Sequence, residues 1–174
     1  MSAPATGLVP RGLLASRHTP LPDTLMDSLA LGLHNLVRWL VIAVGLWATI
    51  RFWRGWLQQR AWSTNDSTAA RLFVIALDVQ FLVGILLYFL YSPITRKAFT
   101  DMGSAMHDAP VRYFVVEHVV VMLAAIVIAH IGSVRVKRAT TDAAKFQTAA
   151  LWFGVAISAI LGFVPWGRPL LPSF

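Results

Sequence analysis

Four long apolar runs dominate this chain and decide what it can become. They cover about 31–50, 72–91, 113–134 and 148–166. A bilayer core of roughly 30 Å takes about 20 such residues per helix. Only helices and closed barrels satisfy every backbone amide in lipid, and barrel strands alternate over about ten residues rather than running on. The runs therefore predict an all-α integral membrane protein, a bundle of four transmembrane helices. Composition agrees: 57% of the 174 residues are hydrophobic and 13% charged, against about 25% charged in soluble proteins. That excludes a soluble enzyme and a nucleic-acid binder, and makes the lipid bilayer the first partner. There is no cysteine, which removes thiol chemistry, disulfides and cysteine-held metal.

Basic residues set the orientation. Arg51, Arg54, Arg60, Arg71, Arg135, Lys137, Arg138 and Lys145 fall at one end of the spans, while Arg96, Lys97, Arg112 and Arg168 fall at the other, with Arg11 and Arg17 in the tail. The first end is expected to be cytoplasmic. Both termini are then on the outer, periplasmic side of a bacterial cytoplasmic (inner) membrane. Trp53, Trp56, Trp62 and Trp152 mark the inner interface, and Tyr88, Tyr91, Tyr113 and Trp166 the outer one. The stretch 51–62 (RFWRGWLQQRAW) prolongs the first helix into the headgroups.

Residues 1–28 form a proline-rich tail before a domain over 29–174. The tail shows no signal-peptide core, and its LVPRG at 8–12 matches a protease-cleavage pattern by coincidence. An ordered tail of this kind would lie on a partner. The connection 92–112 is the longest loop; its Met102, Met106 and His107 are the ligand types copper(I) takes, though an ordinary loop explains them. Ser67 is placed to cap the second helix.

Small residues recur at Ala150, Gly154, Ser158 and Gly162 of the fourth span and at Ala125, Ala129 and Ser133 of the third. Such stripes mark helix–helix contact. Ionisable groups at depth need partners or a task. His34, Asn35 and Arg38 in the first span meet Glu117 and His118 of the third at an outer level, and Asp78 meets His130 at an inner one. His34 and His118 at one depth are placed to hold a haem iron between them, with Arg38 on a propionate. The alternatives are an Arg38–Glu117 ion pair within a structural network, or a quinone or lipid-headgroup site. His118 and His130, twelve residues apart, are rotated by about 120° and do not both face one axis. Asp78 and His130 are expected to hydrogen-bond. No nucleophile constellation stands out, so no catalytic residue is assigned. The two halves show no repeat, which speaks against a transporter.

The segments HNLVRW (34–39), DVQFLVGILLYF (78–89), MHDAPVRYFVVEHVVVMLAA (106–125) and PWGR (165–168) resemble a family of small four-helix bacterial membrane proteins commonly labelled cytochrome b-like. The resemblance spans about 30–170. It implies a b-type haem, with His34 and His118 in the positions of the family's histidines. Two functions are expected from all of this. The first is an accessory, structural membrane subunit packed among other subunits of an electron-transfer complex of photosynthetic reaction-centre or respiratory type. The second is a b-type cytochrome carrying electrons between quinone and a periplasmic acceptor.

Overall fold

In the computed structural model of the chain, which describes residues 21–167, every regular element is helical. The helices are α1 (Leu21–Leu57), α2 (Thr64–Leu86), α3 (Pro93–Thr100), α4 (Met102–His107), α5 (Ala109–Arg112), α6 (His118–Arg138) and α7 (Asp142–Gly162). A π-turn over Leu87–Tyr91 continues α2, and another over Tyr113–Glu117 joins α5 to α6. Four helical stretches are long and apolar enough to cross a membrane: Leu25–Leu57, Thr64–Tyr91, Ala109–Arg138 and Asp142–Gly162. The tail through residue 20, with LVPRG, Arg11 and Arg17, lies outside the described residues, as does Arg168.

The first helix outruns its apolar run at both ends, whereas the fourth span begins earlier than its run, at Asp142, and ends at Gly162, short of the expected 166. α1 starts at Leu21, within the stretch assigned to the tail, and runs on through the arginine–tryptophan segment to Leu57, where Gln59 turns the chain with a φ of 50°. The cap of α2 is Ser63 rather than Ser67. Asp66, three residues on, accepts the Ser63 backbone N–H at 2.8 Å and its hydroxyl, the acidic half of a capping box. Ser67 instead accepts the Trp62 indole N–H at 2.8 Å. The connection 92–112 is three short helices with N-caps at Ser92, Asp101 and Asp108, each side chain accepting an N–H from three residues ahead.

The spans run alternately up and down. Arg96 of α3 reaches Asp27 at the start of α1 at 2.7 Å, and the Tyr113 hydroxyl donates to the Phe163 carbonyl just past α7 at 2.7 Å, so these four segments share one end. Arg51 of α1 reaches Asp66 of α2 at the other. α1 packs against both α2 and α7, α6 packs against α7, and α2 meets α6 only lightly. The core lies toward the arginine-rich end. There Phe52, Phe73, Phe146 and Phe153 are wholly buried, Phe52 stacks on Trp62, and Trp62 abuts Phe146. Trp62, expected in the headgroup belt, is thus part of the core's aromatic cluster.

The outward surface is apolar along all four spans. Leu36, Leu82 and Val120 are each about 60% exposed (62%, 61% and 58%). Large apolar side chains this exposed along whole helices face lipid or other apolar helices, since water would make the arrangement unfavourable by about 1.5–3 kcal/mol per side chain.

The small-residue stripe of α7 divides. Ala150 is buried and Gly154 faces Trp53 and Thr49 of α1, but Ser158 is exposed and Gly162 has nothing near it. A four-residue repeat drifts about 40° per step, so it winds off the contact face within three steps. The face that α7 buries is instead Phe146, Ala149, Ala150, Phe153, Ala156, Ile157 and Ile160.

Candidate functional site: polar groups inside the spans

At the end of the bundle that holds α3–α5, the histidine of α1 is fixed by α2. The Gln80 side-chain nitrogen lies 3.1 Å from the His34 backbone oxygen and 3.1 Å from His34 Nε2. A carbonyl oxygen only accepts, so one amide N–H serves it and the other is free to serve Nε2. The neutral ring then carries its proton on Nδ1. That atom is buried with no hydrogen-bond partner among the described residues, and so is Gln80 Oε1. Gly84, one turn beyond Gln80, makes room for the ring: a Cβ there would lie 3.4 Å from His34 Cε1.

His118 is fixed by the other pair of helices. Its Nδ1 lies 3.0 Å from the Phe163 carbonyl, which also receives the Tyr113 hydroxyl. The acceptor is again a carbonyl, so Nδ1 carries the proton and Nε2 keeps its lone pair. Ligating histidines are commonly oriented by such a bond. His118 therefore has the form of a ligand and His34 does not, because Gln80 occupies the nitrogen through which it would bind. Ligation of one haem by both histidines would require Gln80 to release His34 Nε2. Among the described residues no cluster of three or more His, Cys, Asp and Glu stands ready for a metal ion.

The expected ion pair of Arg38 with Glu117 is replaced. Glu117 takes Arg112, five residues earlier along the same span, at 2.9 Å, and that guanidinium also donates to the Met106 carbonyl. The π-turn between them shifts the register by one residue relative to an α-helix, which a straight helical projection does not anticipate. Arg38 is 7% exposed, its guanidinium 5.6 Å from the Trp39 ring. The two π-turns are themselves joined, the Tyr88 hydroxyl donating to the Val115 carbonyl at 2.9 Å. Met106 packs onto a small cluster of Ala98, Ala105 and Val115, the ordinary role for a loop methionine.

Asp78 and His130 lie on the lightly packed side between α2 and α6, with Asp78 Oδ1 2.8 Å from His130 Nε2. Their side chains are 45% and 49% exposed. Exposed to this degree, the pair faces outward, and since His130 lies five residues before Arg135 it sits about 8 Å along the axis from the basic end. A groove of about 310 Å³ runs from His130 over Ile131 and Val134 to Arg135 and Arg138.

The feature that sequence reasoning passed over lies at the opposite end from His34. Asp66 is wholly buried and binds Arg51 Nε at 2.6 Å and Arg60 Nη2 at 3.2 Å, so one carboxylate ties α1, the turn after it and the start of α2 together. The Ser-x-x-Asp spacing of Ser63 and Asp66 was the signal available for it.

Compared with family models, with curated proteins and with solved structures, the chain matches none.

Proposed function

We propose that this chain is an accessory, structural subunit of a larger membrane complex, one that packs against other transmembrane helices and carries no catalytic step of its own. The outward-facing Asp78–His130 pair carries this reading. Ionisable groups turned toward acyl chains are costly, by up to about 2.5–3.5 kcal/mol at the helix centre and less toward its ends, and two exposed to this degree call for a polar neighbour. Another protein helix lying in the groove from His130 to Arg138 would supply one. The resemblance to cytochrome b-like proteins favours an electron-transfer complex of photosynthetic or respiratory type as the host, and the clustering of basic residues at one end favours a bacterial inner membrane with both termini outside.

The test is to purify the full chain, tagged, from its native membranes in mild detergent. Co-purification of a defined set of redox subunits is the expected result, and a stable monomer without partners overturns the proposal. A reduced-minus-oxidised spectrum of the isolated chain separates the alternative, a b-type cytochrome. No b-type band is expected. A band lost on both His34→Ala and His118→Ala would establish the cytochrome, and would require Gln80 to release His34.

A further inference from the structure

We propose that a basic notch at the end of α1 binds the headgroup phosphate of an anionic phospholipid. The notch has a volume of about 300 Å³ and is lined by Trp47, Ile50, Arg51, Arg54, Gln58 and Arg60. Its charges do not balance. Three guanidinium groups line it, and the one carboxylate among the described residues bonded to any of them is Asp66, to whose Oδ1 both Arg51 and Arg60 direct their bonds. Arg54 makes no ion pair among the described residues, so the cluster keeps a surplus of two positive charges beside an apolar surface.

The layout matches an amphipathic ligand. Trp47, Ile50, Arg54 and Gln58 follow one another at three- and four-residue steps, and Arg51 lies four beyond Trp47, which places them along one face of α1 and the turn that ends it. That face grades over about 16 Å from exposed apolar Trp47 and Ile50 to exposed Arg54 and Gln58. An acyl chain lies along the first part and a phosphate meets the guanidinium groups at the second, where planar donors bind phosphate oxygens in pairs. The headgroup must carry net negative charge. An ammonium group would seek an acceptor carboxylate, and Asp66 is wholly buried and already committed. Basic pockets at membrane-facing helix ends recognise anionic lipid on these grounds.

Native mass spectrometry of the detergent-purified full chain, titrated with phosphatidylglycerol or with phosphatidylcholine, reads the site directly. The expected result is a saturable phosphatidylglycerol adduct and little phosphatidylcholine adduct. Arg54→Gln should weaken it about fivefold, the effect of one arginine near a lipid surface. Gln58→Glu, which puts a negative charge into the notch, should weaken it at least as much. Arg71→Gln, at the same end but outside the notch, should leave it unchanged. Circular dichroism checks that each variant keeps its helices. Equal adducts with the two lipids overturn the proposal, as does an equal loss in Arg71→Gln, which would mean diffuse surface charge. Displacement of the lipid by excess inorganic phosphate also overturns it, because the site would then take a free anion.

Discussion

At the scale of single residues, Asp66 does more for this fold than any other charged group described. It is wholly buried, it takes two arginines, and it caps α2 through Ser63. Its partners Arg51 and Arg60 keep partial access to solvent, with side chains 25% and 37% exposed. Removing the carboxylate therefore leaves cations that can still be hydrated, and the loss should sit at the low end for a broken buried pair. Asp66→Ala is expected to destabilise the chain by about 3 kcal/mol, read from unfolding in mixed micelles, with the turn at 58–63 loosening first in hydrogen exchange. A change below about 1 kcal/mol would mean that the aromatic cluster alone holds the turn. The residue was legible as half of a Ser-x-x-Asp box, but its arginine partners were not, since Arg51 is fifteen positions away. The histidines show the opposite balance. Their types and depths were readable, while their proton positions follow from contacts with Gln80 and the Phe163 carbonyl that no spacing rule supplies.

At the scale of helices, the four spans could be read from apolar length, because lipid imposes it. Their packing could not be read so directly, because nearly every residue in such a span is apolar and periodicity carries little contrast. Small residues carry what signal there is, and they mark close approach only where they stay on the contact face. Gly132 does: a Cβ there would stand 2.5 Å from Trp152 Cβ, an atom fixed to the backbone of α7 that no rotamer change can move aside. Gly132→Ala should therefore push α6 from α7 and cost about 1–3 kcal/mol. Gly154→Ala, whose Cβ would lie 3.6 Å from the nearest side-chain atom, should be neutral or slightly stabilising through helix propensity. Thermal unfolding of the two variants in one detergent makes the comparison, and equal losses would refute the close contact. The π-turns at Leu87–Tyr91 and Tyr113–Glu117 had no sequence signal at all. Each adds one residue to a turn, and the second is what brings Glu117 to Arg112 instead of Arg38.

At the scale of the whole molecule, the bundle is asymmetric. α1 and α7 are central, and α2 and α6 flank them with their outer faces bare and only a light contact between them. The one cross-link in that seam formed by ionisable side chains among the described residues is Asp78 with His130, and its value depends on what lies outside. Facing acyl chains, the pair is a burden, since its members lose water and recover only one hydrogen bond; two leucines of similar bulk would serve the isolated chain better, as buried ion pairs replaced by apolar groups often show. Facing a polar group on a neighbouring helix, the same pair becomes a point of recognition, and the leucines would leave that group unmatched. The double variant Asp78→Leu/His130→Leu separates the two. For a subunit of a complex, the isolated chain should gain about 1–2 kcal/mol in detergent while the amount that co-purifies with its partners from native membranes falls several-fold. A double variant that loses stability when isolated and keeps its partners would place the value of the pair inside the bundle, and the flank of α2 and α6 would no longer count as a docking face.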